Sequence, residues 1–314
     1  MEKVREKVLF CTAGSTEGSD RKAGSDRDGD ESIFGGWACD GGGYSGTWQD
    51  DHGDCFFQSD RTAEAQSAVY TGCTSVRSDG FTIYQKERNA FVYHPGAWSA
   101  TCFWQMRSTG RLRRRSQPFG SDGRGQVTVD GKTRKIAPPF LVIATENPSG
   151  SAGTQLLPES QLDRFMVCVK MGYPTIREEM EILRKNENGR TSDAVQQVMT
   201  KEELEEAQRE TAQIFMHERI LEYLVQLAQA TREHEMLELG MSPRGTVALA
   251  KMAKAGAYLA GREYVVPADV RGVFRETAQH RILLNTRARI SKVKQKEVLQ
   301  EILSAVESPS LKKR

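Results

Sequence analysis

The first eighty residues contain very little aliphatic side chain: only Val4, Val8, Leu9, Ile33, Val69 and Val76. A stretch so poor in Ile, Leu and Val, and so rich in Gly, Ser and Asp, cannot by itself bury enough apolar surface to offset the entropy of ordering its backbone. Nowhere does the chain carry a run of about 18 apolar residues, so no segment reads as a membrane span. Its start, "MEKVREKVLF", is charged and has no secretory h-region, and the expectation is a soluble, cytoplasmic protein. The six cysteines include no C-x-x-C pair, the usual half-site of a zinc scaffold. His52, Asp54 and Cys55 cluster, but no second half-site accompanies them, and no metal centre is expected. An excess of one charge is missing too. The formal net charge of +2 gives no reason to expect nucleic acid or an anionic membrane as partner. The local basic run "GRLRRRSQ" (Gly110–Gln117) has little of the aromatic interleaving that nucleic-acid binding favours.

Composition breaks near residue 125. All four Trp and five of the six Cys lie before residue 105, whereas the sequence after residue 126 is that of an ordinary globular domain. At 314 residues the chain has room for two domains. "QVTVDGKTRKI" (Gln126–Ile136) alternates apolar and polar residues around Asp130-Gly131, the dipeptide of a type I′ hairpin turn. Its "GKT" imitates the end of a phosphate loop, but Gln126 stands where that motif needs its first glycine, so the hairpin is the better reading. Phe140–Thr145, in "PPFLVIATENP", is a continuous apolar run, the pattern of a strand buried on both faces of a parallel sheet. Asn147 follows it, at the carboxyl end where open α/β sheets bind ligands.

Helical signals then dominate. Thr175 with Glu178, and Thr200 with Glu203, have capping-box spacing, and Gly189 closes the first of these helices. Ile220, Leu224, Leu227 and Thr231 recur at helical spacing. Ser242 is placed to cap a helix with Pro243 at its first position, and Pro267 opens another. Four or five helices after the last strand are expected. His217, Glu218 and His234 read as surface residues of a charged helix, and Met236 and Met241 as packing or loop residues.

The segment "PPFLVIATENPSGSAGTQLLPESQLDRFMVCVKMGYPTIREEMEILRK", with "SPRG" further on, resembles the second half of the ATPase core of MoxR-family AAA+ proteins. The likeness runs from about Gln126 to about Ile282, and "GFTIYQKERNAFVYHPGA" (Gly80–Ala97) resembles the segment before the Walker B strand of that family. The resemblance implies a P-loop-type α/β core with a parallel sheet, followed by an all-α lid. It implies ATP and magnesium as cofactors, a homo-oligomeric ring of about six subunits, and chaperone-like work on a client protein that the sequence does not name. The division it suggests is 1–79 as an aberrant or disordered stretch replacing the Walker A half, 80–172 as the rest of the core with 98–125 also aberrant, and 173–314 as lid and tail.

By the same resemblance Asn147 is the sensor-1 residue, an amide that can orient the attacking water. Position alone better suits an Asn that caps a turn before Pro148, and the surrounding motif reverses that preference. Arg164, in "LDRF", becomes the finger that reaches a neighbouring subunit's nucleotide, the alternative being a helix-surface ion pair with Asp163 or Glu159. Arg244, in "SPRG", becomes sensor 2; a cation in the first turn of a helix opposes the macrodipole, which favours a functional reason for it.

An ATPase of this kind also needs a glycine-rich loop ending in Lys-Ser/Thr and an acidic pair for magnesium, and the sequence contains neither in its first half. Synonymous codons exist for Trp48–Gln58 that, read one base later, spell "GKTIMVTAFSK". Joined to Gly46 and Thr47, which are then cofactor-binding residues, they give "GTGKT", a phosphate loop. A one-base offset within Trp98–Phe119 likewise permits "LLLADE", a strand ending in the acidic pair. Out-of-frame reading also accounts for the rarity of aliphatics. The competing expectation is a non-catalytic chain: a folded lid and partial core on a disordered Gly/Ser-rich arm, acting at most as a binding module.

Overall fold

The computed structural model describes residues 39–42, 64–68, 81–86, 89–94, 102–106, 126–135, 141–146, 158–170, 175–187 and 199–309. Nine strands occur before the helical part among these residues: β1 (Cys39–Gly42), β2 (Glu64–Ala68), β3 (Phe81–Gln85), β4 (Ala90–His94), β5 (Cys102–Met106), β6 (Gln126–Val129), β7 (Lys132–Lys135), β8 (Leu141–Glu146) and β9 (Val167–Lys170). Five of them form one sheet in the order β2-β5-β8-β1-β9, and every pairing in it is parallel. The apolar, β-branched β8 takes the central place, as its composition requires.

β1 and β2 come from the aliphatic-poor stretch and β5 from residues 98–125. These strands are only four or five residues long. Parallel pairing uses backbone N–H and C=O groups that every non-proline residue carries, so short strands can join a sheet without an aliphatic pattern of their own.

Two hairpins stand apart from the sheet, β3–β4 and β6–β7. In the second, Asp130 and Gly131 have φ of 51° and 73°, the two positive values that a type I′ turn demands. "GKT" there is hairpin and strand, not phosphate loop. The guanidinium of Arg134 lies 3.8 Å from the centre of the Tyr93 ring and ties the hairpins together.

Helices follow: α1 (Glu159–Leu162), before β9, then α2 (Ile176–Glu187), α3 (Lys201–Gln213), α4 (Glu218–Glu233), α5 (Pro243–Leu259), α6 (Pro267–Ala278), α7 (Thr286–Ile290) and α8 (Gln295–Ala305). The capping box at Thr200 forms in full: Glu203 N–H donates to Thr200 Oγ1 at 3.3 Å, and Thr200 N–H to Glu203 Oε2 at 2.9 Å. Ser242 caps α5, accepting the Gly245 N–H at 3.1 Å. α6 begins at Pro267, with Val266 N–H donating to the Asp269 carboxylate at 2.8 Å and Arg262 Nη1 to the same oxygen at 2.8 Å.

The four or five helices expected after the last core strand are seven among the described residues, and the lid is not purely helical. Leu237–Leu239 (β10) pairs antiparallel with Leu283–Leu284 (β11), closing the loop after α4 onto the chain after α6. The core lies among α4, α5, α6 and α8. Ile220, Leu224, Leu227 and Thr231 are all fully buried, as their spacing predicts, against Leu249, Met252, Phe274 and Leu299. Small side chains at Ala248, Ala253, Ala255 and Ala257 let α5 approach its neighbours closely. His217 and Glu218 are exposed, as expected, whereas His234 departs from the expectation of a surface residue. His217 caps α4, its Nδ1 accepting Arg219 N–H at 3.1 Å, and the mostly buried His234 caps the other end, accepting Met236 N–H at 3.2 Å.

Candidate functional site: a three-segment cation cluster

Three segments distant in sequence meet beside the start of β9. One is the turn after α1, Asp163 to Met166, which leads into the strand. Another is the first turn of α5, where Ser242, Pro243, Arg244 and Gly245 lie. The last is Gln279-His280-Arg281, just past the end of α6.

Arg281 joins them. Its side chain is 1 % exposed, and each guanidinium nitrogen donates a hydrogen bond. Nε donates to Asp163 Oδ1 at 3.1 Å; Nη1 donates to Met166 O at 3.1 Å and to Thr277 O; Nη2 donates to Phe165 O and, at 3.4 Å, to Asp163 O. Burial lowers its pKa to about 10, against the opposing pull of the Asp163 charge, so the group stays cationic at neutral pH. His280 Nε2 donates to Phe165 O at 3.1 Å, and Gln279 Nε2 donates to Cys168 O. Burial, helped by the charge of Arg281, pushes the His280 pKa down to about 3, so the ring is neutral. Three consecutive side chains thus fasten the lid to the backbone of β9 and of the turn that carries Arg164.

Asp163 has a second set of partners. Ser242 Oγ donates to Asp163 Oδ1 at 2.7 Å, while Arg244 Nη1 stands 4.0 Å from Asp163 Oδ2. Arg244 is 36 % exposed along its side chain. The loop that delivers it is fixed to α4: Met241 N–H donates to Thr231 Oγ1 at 2.9 Å, and Arg232 Nε donates to Met241 O at 2.7 Å. Gly245 is needed for space. A Cβ there would lie 2.8 Å from Arg281 Cδ and 3.2 Å from its Nε.

Of the residues singled out in the sequence, Arg244 thus faces Asp163, the residue directly before Arg164 in the chain. Asn147, Gly46 and Thr47 lie outside the described residues, but the strands leading to them are described. Gly42 at the end of β1 pairs in register with Glu146 at the end of β8, so the two strands that precede Gly46 and Asn147 in sequence end side by side. Gly42 is also level with Lys170, the last residue of β9. Arg164 precedes that strand, and at about 3.3 Å per residue the start of β9 is already some 10 Å from its end. The Asp163–Arg244 pair thus lies towards the amino edge of the sheet, and the described ends of β1 and β8 at its carboxyl edge.

Sequence reasoning missed Asp163 as anything but a partner for Arg164, and missed Gln279, His280 and Arg281 altogether. Their partners are more than a hundred residues away and mostly backbone carbonyls, which carry no residue-type signal.

Comparison with known proteins places this architecture. The family model for the ATPase family associated with various cellular activities (AAA) matches residues 78–167, and that for the AAA lid domain matches residues 229–302. A crystal structure of a candidate ATPase from Cytophaga hutchinsonii superposes with a TM-score of 0.81 at 23 % identity, covering 98 % of this chain and 99 % of that one. The fold is thus that of an AAA-type ATPase core with its lid. Among curated sequences, the uncharacterized protein YeaC of Bacillus subtilis is 37 % identical over 232 residues, 73 % of this chain and 72 % of its own. The chaperone MoxR1 of Mycobacterium tuberculosis is 32 % identical over 194 residues, 59 % of this chain, which spans about half of MoxR1 (51 %). The chain belongs to the MoxR family of AAA+ ATPases.

Proposed function

We propose that this is a ring-forming ATPase in which Arg164 and Arg244 both serve the nucleotide of the next subunit. The observation that carries the reading is the position of the Asp163–Arg244 pair, and of the Arg164 backbone, just before β9 at the amino edge of the sheet, remote from the carboxyl ends of β1 and β8. A guanidinium there cannot readily reach a phosphate held at the opposite edge of its own sheet, whereas an adjoining subunit's site is open to it. Asn147 would stand at the carboxyl edge and orient water in its own site.

For ATP and magnesium, the fit of the residues present divides in two. Two partly exposed arginines suit a polyphosphate well. The cradle does not fit: Gly46-Thr47 is followed by Trp48-Gln49-Asp50 instead of Gly-Lys-Ser/Thr, and Gln105 and Met106 close β5 in place of an acidic pair. No hydrolytic step follows from the chain as written. The topology nevertheless supports the frame-shift reading. The codons that would spell Asp-Glu in the shifted frame span Gln105 to Arg107, and this is the carboxyl end of β5, next to β8. Restored in frame, the protein would hydrolyse ATP in a ring of about six and use the cycle to remodel or mature a partner protein. The chaperone name of the relative MoxR1 supports that kind of work.

A second reading is favoured by the same missing lysine: a non-hydrolysing relative that only supplies Arg164 and Arg244 to a neighbour. The two readings separate on ATP turnover by the chain as written and by a chain carrying "GTGKT" and "LLLADE" in frame. The expectation is no turnover from the first, and turnover from the second that Arg164→Ala abolishes. Turnover by the chain as written, lost in Arg164→Ala, would overturn this account of its phosphate loop.

A further inference from the structure

Asp163 contacts both the first turn of α5 and Arg281, and its two oxygens are used differently. Oδ1 accepts from Ser242 Oγ at 2.7 Å and from Arg281 Nε at 3.1 Å. Oδ2 faces Arg244 Nη1 across 4.0 Å, a wider and more exposed pairing. Arg281 is buried, so Asp163 is anchored by a cation that cannot swing away. Ser242 and Gly245 fix the first turn of α5, which sets the backbone of Arg244 but leaves its long side chain free to rotate.

We infer that Asp163 is a positioning residue: through Oδ2 its carboxylate holds the Arg244 side chain of the lid against the core turn that carries Arg164, ready for an incoming phosphate. The division of labour follows from the geometry. One oxygen belongs to the fold and the other to the functional cation. A pairing at 4.0 Å is loose enough to yield when a phosphate oxygen competes for the guanidinium, yet it biases the direction of a side chain that is 36 % exposed. Asp163 also precedes Arg164 directly, so any movement of the lid that displaces Arg244 pulls on the backbone of the finger. This rests on the reading of Arg164 and Arg244 as nucleotide-facing residues, and the test below separates the two claims.

Asp163→Asn is the informative change. Its amide oxygen can still accept from Ser242 and Arg281, while an NH2 group replaces the oxygen that attracts Arg244. Arginine-selective 15N relaxation on the full chain reads the Arg244 side chain directly and requires no nucleotide. The expected result is loss of Arg244 order to the level of the exposed Arg177, with the first-turn amides Gly245 and Thr246 keeping their hydrogen-exchange protection. Unchanged Arg244 order in Asp163→Asn would overturn the inference, as would simultaneous loss of protection throughout α5, the sign of a purely structural residue.

The second readout is affinity for a fluorescent ATP analogue, measured for Asp163→Asn, Arg244→Ala and the double variant in the assembled full chain carrying "GTGKT" and "LLLADE" in frame, since the chain as written lacks the phosphate cradle. A positioning role predicts a loss of about tenfold from Asp163→Asn that vanishes when Arg244 is already alanine, since residues sharing one interaction are not additive. Equal losses in both backgrounds would refute it. If that in-frame chain without further substitution binds no analogue at all, the nucleotide reading falls, and the relaxation measurement alone decides the role of Asp163.

Discussion

Glycine-to-alanine changes at two helical positions should have opposite effects, and the difference tests the packing of the cation cluster. At Gly272, in the middle of α6, an added Cβ meets nothing within 4 Å. Alanine there gains only helix propensity, about 0.5–1 kcal/mol. At Gly245, in the first turn of α5, the Cβ would come within 2.8 Å of Arg281 Cδ, 3.2 Å of its Nε and 3.3 Å of Met241 Cε. An arginine elsewhere could retreat. This one cannot, because its nitrogens are bonded to Asp163, Met166, Phe165 and Thr277. Overpacking of this kind costs about 1–3 kcal/mol, which exceeds the propensity gained. The net expectation is a loss of about 1–2 kcal/mol from Gly245→Ala. At roughly 2–4 °C per kcal/mol for a cooperative unit of this size, thermal melting followed by far-UV circular dichroism should resolve the two shifts. Equal stabilisation by both substitutions would refute the claim that Arg281 is pinned across the start of α5.

Gly240 should be less tolerant still. A Cβ there would lie 2.6 Å from Arg232 N and Cα and from Thr231 O, all backbone atoms that have no rotamer to give, so Gly240→Ala should cost 3 kcal/mol or more (on the order of the largest core overpacking penalties) and show as a marked fall in Tm. His280 gives a pH signature. Its pKa is about 3 when folded and near its ordinary 6.5 when unfolded, so the unfolded chain binds the extra proton between those values. Its contribution to stability is therefore complete above about pH 6.5 and is lost as pH falls through that window, at up to about 1.4 kcal/mol per pH unit. The melting temperature of His280→Gln should fall less steeply from pH 7 to pH 5 than that of the unmodified chain; parallel curves would contradict the buried neutral ring.

The lid was largely legible because its signals are local. Thr200 with Glu203, Ser242 with Pro243, and the spacing of Ile220, Leu224, Leu227 and Thr231 each act within a few residues, and each forms in the structure. β8 was legible for a similar reason: a continuous apolar run needs two covered faces, and it has the central place in the sheet. The hairpin at Asp130-Gly131 follows from the positive φ values its two residues tolerate. β1, β2 and β5 were not readable, because their sequence carries no strand periodicity and their pairing rests on the backbone. Within the site, Arg164 and Arg244 stood out through motif resemblance. The anchor Arg281 did not: it pairs with Asp163 across 118 residues, and its other acceptors are main-chain carbonyls. The extra ribbon, β10 with β11, escaped notice because Leu237–Leu239 and Leu283–Leu284 are too short for any alternation to show.

The central claim is that a MoxR-family ATPase lies behind this chain, with its phosphate loop and magnesium-binding strand read out of frame. Sequencing the gene across the codons for residues 10–126 tests it most directly. The account predicts compensating single-base insertions or deletions whose repair spells "GTGKT" after β1 and "LLLADE" along β5. An uninterrupted frame, with the protein found in cells as written, would contradict it and leave a family member that cannot hold its own nucleotide.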